Sequence, residues 1–313
     1  MSGTRPDVVF VGPVPDWLRV QYEADFTLHL LPDGDPATLP PGVADRAEAV
    51  IAGGPISQAL VTAMPKLKLI AVPGAGYDRV DVPAANARGI AVTNAPGTTD
   101  GCVADMVFAL LLAVGRHIVT GDAYARSGKW MQASYPLVPR VFGKRMGILG
   151  LGRIGMAIAK RASGFDMPVS YHSRRKRDDV DFPWYPTPAA LAEAVDYLVV
   201  ATPGGAETRH LVNAEVLAAL GPKGIVVNIG RGTVIDEAAL IDALERKAIA
   251  GAGLDVFEEE PFIPPRLVAL ENVVLMPHRG GGTIETWQEV CDMVKANLHA
   301  HFQGKPLLSP VVA

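Results

Sequence analysis

Residues 146–177 read MGILGLGRIGMAIAKRASGFDMPVSYHSRRKR, and no other stretch restricts the fold as much. An apolar run of strand type ends at a Gly-x-Gly-x-x-Gly turn, Gly150 to Gly155. A helical stretch with alanines at 157, 159 and 162 follows, then a second run, PVSYHS. In that context each glycine has its own task. The first permits a tight turn, the second lets backbone approach a pyrophosphate, and the third lets helix and strand pack closely. The helix start adds unpaired N–H groups and a partial positive charge. Gly150, Leu151, Gly152, Arg153, Ile154 and Gly155 are therefore the expected phosphate-binding residues of a dinucleotide site. A merely structural turn would not explain strand, helix and strand in that order.

The second strand should end beside the adenosine ribose, where an acid would accept hydrogen bonds from both hydroxyls and repel a 2′-phosphate. Here the chain reads Ser173-Arg174-Arg175. Serine carries no charge, and guanidinium groups are forked donors suited to a phosphate dianion. Asp178 and Asp179 lie too far along to replace the missing acid. A solvated basic run is the plain alternative; its place directly after the strand favours NADP, with NADPH preferred over NADH.

Short β-branched runs alternate with helical patterns along most of the chain, which argues for α/β architecture with parallel sheets. A first series comprises DVVFVG, AEAVIAG, LKLIAVPG and GIAVTNAP. A second comprises RMGILGLG, PVSYHS, DYLVVATP, GIVVNIG, AGAGLDVF and ENVVLMPH. Two series imply two sheets and two domains, joined by a long helix expected from about Gly101 to Lys129. The final helical pattern, ETWQEVCDMVKANLHAHFQG, would return to the first domain and make it discontinuous. The Pro-rich stretch at 31–42 reads as a surface loop.

With 313 residues, 49% hydrophobic, the chain can bury two cores, and a net charge of −4 gives no reason to expect nucleic acid or an anionic membrane as partner. Cys102 and Cys291 read as reduced thiols, and the most apolar segment, MVFALLLAVG, is too short to span a bilayer. The expectation is a soluble, cytoplasmic protein with no metal site.

Three later stretches end apolar strands in polar residues, at the edge where α/β sheets bind ligands. VVNIGRGTVID carries Arg231 between glycines, suited to gripping a carboxylate. GAGLDVFEEEPF carries Asp255 at a strand end and Glu260 before a proline. VVLMPHRGGGT carries His278 beside three glycines. Singly, each has a dull explanation as surface arginine, solvated acidic run or satisfied loop histidine. Their shared position behind a dinucleotide motif makes coincidence a poor account.

With GILGLGRIG, SYHSRR, LGPKGIVVNIGRGTVIDEAAL, GAGLDVFEEEP, NVVLMPH and HFQGKPLLSPVV in view, the chain resembles the D-isomer-specific 2-hydroxyacid dehydrogenases. It is most similar to their NADPH-preferring glyoxylate/hydroxypyruvate and hydroxyphenylpyruvate reductase branch. The resemblance implies two doubly wound parallel-sheet domains with a cleft between them. One is a flavodoxin-like substrate domain (1–99 plus 285–313) and the other a Rossmann cofactor domain (100–284). It implies Arg231, Glu260 and His278 as the catalytic set, with His278 passing a proton to the substrate oxygen. Glu260 would orient the imidazole and favour its protonated form, and Arg231 would hold the carboxylate. Glu258 and Glu259 are rival carboxylates, but the family places its acid directly before the proline.

The resemblance further implies that N–H groups of Ala75 and Gly76 bind substrate together with Arg231 and His278. Asp255 would hold the nicotinamide carboxamide, with Thr202, Pro203, Ile229 and Gly280 along the cofactor site. It implies a homodimer built on the long helix, with Trp130 near the neighbouring subunit's site. Two departures stand out: Gly281 where relatives often carry serine after Pro-His-x-Gly, and Asp100 where they commonly carry threonine. The activity expected is reduction of glyoxylate or hydroxypyruvate to the D-2-hydroxy acid, with arylpyruvate reduction as the alternative. A cofactor-sensing binding protein, like the co-repressors that share this fold, is the alternative from another class.

Overall fold

The computed structural model describes residues 5–311 and divides the chain into two compact units. The first comprises the described parts of Met1–Thr99 and Thr283–Ala313; the second is Asp100–Gly282.

In the first unit the strands are β1 (Asp7–Val11), β2 (Thr27–Leu31), β3 (Ala49–Ala52), β4 (Leu69–Ala71) and β5 (Ala91–Thr93). They form one parallel sheet in the order β2-β1-β3-β4-β5. Residues of β1 alternate between two cores: Val9 and Val11 face one, Val8 and Phe10 the other. A parallel strand covered on both faces needs such a continuous apolar run. The helix Ile284–Phe302 supplies Val290, Cys291, Val294 and Leu298 to the core that holds Val8 and Phe10. Only β2 escaped the sequence reading. It is an edge strand whose residues are mostly partly exposed, so it lacks the buried run that marks its neighbours.

The second unit holds β6 (Met146–Leu149), β7 (Val169–His172), β8 (Tyr197–Val200), β9 (Ile225–Asn228), β10 (Gly251–Leu254) and β11 (Val273–Leu275). All pair in parallel, in the order β11-β10-β9-β8-β6-β7. Beyond β7 a further strand is reduced to one bridge between Tyr171 and Trp184. Helices Asp100–Gly115 and Arg153–Ala162 cover one face; Pro188–Ala194, Ala214–Leu220 and Glu237–Glu245 cover the other. The glycines of AGAGL let the first helix approach β10 closely: a Cβ on Gly253 would stand 2.8 Å from Leu110 Cβ.

The long connecting helix is in fact two. Asp100–Gly115 ends short of His117, which adopts a left-handed backbone, and Ile118–Arg126 departs at 57°. The first helix buries Val107, Leu110, Leu111 and Val114; the second has no buried residue. Among the described residues no single helix is long and apolar enough to cross a membrane. Cys291 is buried, Cys102 is half-buried, and neither is in a disulfide.

Candidate active site

In the second unit β6 lies between β7 and β8, so the chain reverses its direction of progress across the sheet at β6. Ligands of open α/β sheets bind at the carboxyl edge beside such a reversal. The glycine turn lies there, and each glycine answers to a different constraint. Gly150 has φ +95°, and a Cβ on it would stand 2.9 Å from Ala201 O. A Cβ on Gly155 would come within 2.3 Å of Gly150 O, so only glycine lets this helix seat on its turn. A Cβ on Gly152 would meet nothing within 4 Å. Packing therefore explains the first and third glycines but not the second, whose open side is where a phosphate would lie. Gly152 is the N-cap of Arg153–Ala162 and offers no side chain to the first N–H groups.

Thr202, at the carboxyl end of β8, has a buried hydroxyl oxygen with no hydrogen-bond partner, an arrangement that a polar ligand would satisfy. Pro203 beside it is exposed, Leu151 and Ile229 are buried, and Ile154 is half-buried. These features fit a dinucleotide.

At the end of β7, Ser173 Oγ donates to Arg175 O at 2.6 Å, and Arg175 is exposed. Arg174 reaches Glu207 at 2.9 Å, a pair whose side chains are 86% and 76% exposed. Arg177, further along the same basic run, donates to Leu151 O at 2.7 Å and pairs with Asp179. It thus ties the loop after β7 to the glycine turn, and it explains why Asp179 does not stand in for a ribose-binding acid. Arg153 is paired at 3.0 Å with Asp100, the residue noted as a departure.

At the end of β9, buried Asn228 receives Gly230 N–H at 3.0 Å and donates to Arg231 O at 3.0 Å. It shapes the turn presenting Arg231, whose stem lies against Gly204, where a Cβ would be 2.9 Å from Arg231 Cγ. Asparagine bonding the backbone two residues on, with a glycine at that position, is a turn signal that would have found it. A Cβ on Gly232 would fall 1.8 Å from Phe257 C, so the turn after Arg231 lies in backbone contact with the segment leading to Glu260.

Asp255, at the end of β10, accepts Arg279 N–H at 2.6 Å and Gly280 N–H at 2.7 Å. Burial pushes its carboxyl above the ordinary range, against the pull of those donors. Its evident task is to fix the loop of His278, whose own N–H donates to Asp255 O at 2.8 Å. Gly280 is buried, and a Cβ there would stand 2.8 Å from Asp255 Oδ2. Gly281 closes the same loop, half-buried.

His278 has a left-handed backbone, φ +53°, and its Nδ1 lies 2.8 Å from Glu260 Oε2, while Glu260 Oε1 accepts Phe257 N–H at 3.2 Å. With Nδ1 engaged, Nε2 is the nitrogen available for proton exchange with a substrate. Glu258 turns elsewhere, to Arg209 and His210, and Glu259 is exposed. Ala75 and Gly76 belong to the first unit, in the loop after β4, where Ala75 O accepts Asn94 Nδ2 at 2.8 Å.

A glycine turn built for a dinucleotide and an imidazole–carboxylate pair on neighbouring strand ends of one Rossmann-type unit define a dehydrogenase class. Residues 108–280 match the family described as D-isomer specific 2-hydroxyacid dehydrogenase, NAD binding domain, and the chain belongs to that family. It is 49% identical over 253 residues to a hydroxyphenylpyruvate reductase of Plectranthus scutellarioides, covering 81% of each chain. A 2-ketogluconate reductase of Gluconobacter oxydans is 40% identical over 314 residues, 99% of each. Among solved structures, an NADPH-dependent glyoxylate/hydroxypyruvate reductase from Sinorhizobium meliloti, in complex with NADP and malonate, superposes with a TM-score of 0.94. It is 40% identical, and the match covers 99% of this chain and 97% of that one.

Proposed function

We propose that this protein reduces a small 2-oxo acid, of the glyoxylate or hydroxypyruvate kind, to the D-2-hydroxy acid with NADPH. The observation that carries the reading is the 2.8 Å contact of His278 Nδ1 with Glu260, on the carboxyl edge that also holds the glycine turn. The names of the relatives and of the solved structure support it.

When bound, the nicotinamide supplies hydride to the keto carbon. His278 delivers a proton from Nε2 to the keto oxygen, and Glu260 holds the ring in the tautomer and orientation this needs. Arg231 grips the carboxylate through its forked donors and polarises the adjacent carbonyl; the family resemblance assigns the N–H groups of Ala75 and Gly76 to substrate as well. Asp255 keeps lone pairs beyond those given to Arg279 and Gly280 for a carboxamide. Thr202, Pro203 and Ile229 line the cofactor site; Ser173, Arg174 and Arg175 receive the 2′-phosphate, which would displace Glu207 from Arg174.

The helix Ile118–Arg126 and the chain after it expose Ile118, Val119, Trp130, Met131, Leu137 and Phe142. An apolar run of this extent favours a homodimer built on this arm, with Trp130 offered to the neighbouring subunit. Thiols outside disulfides suit the cytoplasm.

Steady-state assays with glyoxylate, hydroxypyruvate and an arylpyruvate, each with NADPH and NADH, test the activity. His278→Ala should lower kcat by about a thousandfold. A wild-type rate no higher than that variant's would reject the reductase and favour a cofactor-sensing binder. Preference for the arylpyruvate would shift the substrate toward that of the Plectranthus relative. Arg174→Ala should weaken NADPH binding far more than NADH binding, and equal weakening would remove the phosphate role. Light scattering at micromolar protein should give a mass near 66 kDa, twice the chain mass of 33.1 kDa.

A further inference from the structure

The second unit holds a second imidazole–carboxylate pair that the reaction above does not use. His210 has a left-handed backbone, φ +52°, like His278. Its N–H donates to Thr233 O at 2.9 Å, and its Nε2 lies 2.9 Å from Glu258 Oε1. The same oxygen accepts Arg209 Nη2 at 2.7 Å, and Glu258 N–H donates to Glu237 Oε1 at 3.2 Å. His210 therefore grips two segments at once: the Gly232–Val234 turn after Arg231 through its backbone, and the segment carrying Glu260 through its ring. Those segments already touch, because Gly232 admits no side chain against Phe257.

We infer that His210 is a positioning residue: through Glu258 it holds Glu260 in bonding register with His278 and keeps the turn of Arg231 against that segment. The inference rests on the reductase reading. Glu258 and Glu260 are two residues apart, with Phe257 N–H fixing the second. Removing one of the two side chains that hold the Glu258 carboxylate, Arg209 being the other, therefore loosens the support of the carboxylate that orients His278. Small displacements of this kind reduce turnover without removing any reacting group. The charged groups facing His210 are Glu258, Arg209 and, at 3.9 Å, Asp236; Glu237 and Glu259 stand near Glu258.

The test compares the full-length wild type with His210→Ala, His210→Gln and Glu260→Gln. Glutamine places an amide N–H close to where the imidazole Nε2 stood and can still donate to Glu258. His210→Ala should lower kcat about tenfold with glyoxylate and leave NADPH binding, followed by fluorescence titration, within twofold. His210→Gln should recover at least half the wild-type kcat. Without cofactor, the downfield imidazole N–H proton signal of His278, identified by its loss in Glu260→Gln, should persist in His210→Gln and disappear in His210→Ala. The inference fails if His210→Ala keeps more than half the wild-type kcat, or if alanine and glutamine variants are equally impaired and both lose NADPH binding. Should the wild type turn over no 2-oxo acid, the reductase reading falls, and the N–H signal alone decides: retained in His210→Ala, it overturns the positioning role; lost, it supports it.

Discussion

Gly12 and Gly150 hold the same place in their respective sheets. Each follows the strand at which its sheet reverses order, β1 between β2 and β3, β6 between β7 and β8. Their φ values are +96° and +95°, and a Cβ on either would stand 2.9 Å from backbone of the neighbouring strand's loop. Beyond that point the two turns part. After Gly12 the chain runs Pro13-Val14-Pro15, and the helix Asp16–Glu23 opens behind a proline with an aspartate in its first turn. Proline carries no N–H, and a carboxylate at a helix start occupies the position an anion would take. After Gly150 come an open Gly152 and a helix with no acid in its first turn. Topology offers a ligand edge to both units; side chains equip only the second for phosphate.

Three substitutions probe that difference. Gly155→Val should have the largest effect, because its Cβ would collide with Gly150 O, which is backbone and cannot swing aside. A loss of about 3 kcal/mol or more is expected, with cofactor binding abolished, measured by denaturant unfolding and fluorescence titration. Gly12→Ala should destabilise by about 2 kcal/mol, from the left-handed backbone and the contact with Gly54 N, yet leave cofactor affinity as it was. Gly152→Ser reverses the pattern. Serine is a good N-cap, so stability should hold or rise slightly, while its side chain fills the open space and takes the N–H groups a phosphate needs. Affinity for NADPH should drop at least tenfold, about 1.4 kcal/mol. Equal losses of binding in Gly12→Ala and Gly152→Ser would break the comparison.

The same contrast shows what a sequence carries. The turn at Gly150 is readable because its constraints are local, and Arg231, Asp255 and His278 are readable because strand ends announce themselves in apolar runs. The joins between strand ends are not. Arg177 on Leu151 O, Asp100 on Arg153 and His210 on Glu258 link residues 26, 53 and 48 positions apart, and nothing in their spacing marks them. The edge strand β2 and the break at His117 are equally hidden: β2 lacks a buried apolar run, and the break rests on the left-handed backbone of one histidine.

The amino edges of the two sheets supply the last and smallest contrast. Asp196, just before β8, accepts Arg145 N–H at 2.9 Å and two guanidinium donors, which hold its carboxyl below the ordinary range despite partial burial. Asp7 opens β1. Burial raises its carboxyl, but Arg46 at 2.8 Å and His29 at 2.6 Å bring the balance below the ordinary value. A carboxyl lowered in the folded chain contributes stability that is fully present above its unfolded value, about 4, and is lost as pH falls through the lower folded one. Asp196→Asn should therefore reduce stability by about 1 kcal/mol at pH 7, and the gap from wild type should narrow steadily below pH 4 in denaturant titrations. Asp7→Asn should follow the same course in the first unit. Neither should alter NADPH affinity, since both residues sit at the sheet edge opposite the glycine turns. A change in affinity with Asp196→Asn would mean that the amino edge of the second sheet is coupled to its ligand edge, and the division of labour drawn from the two glycine turns would then need a third participant.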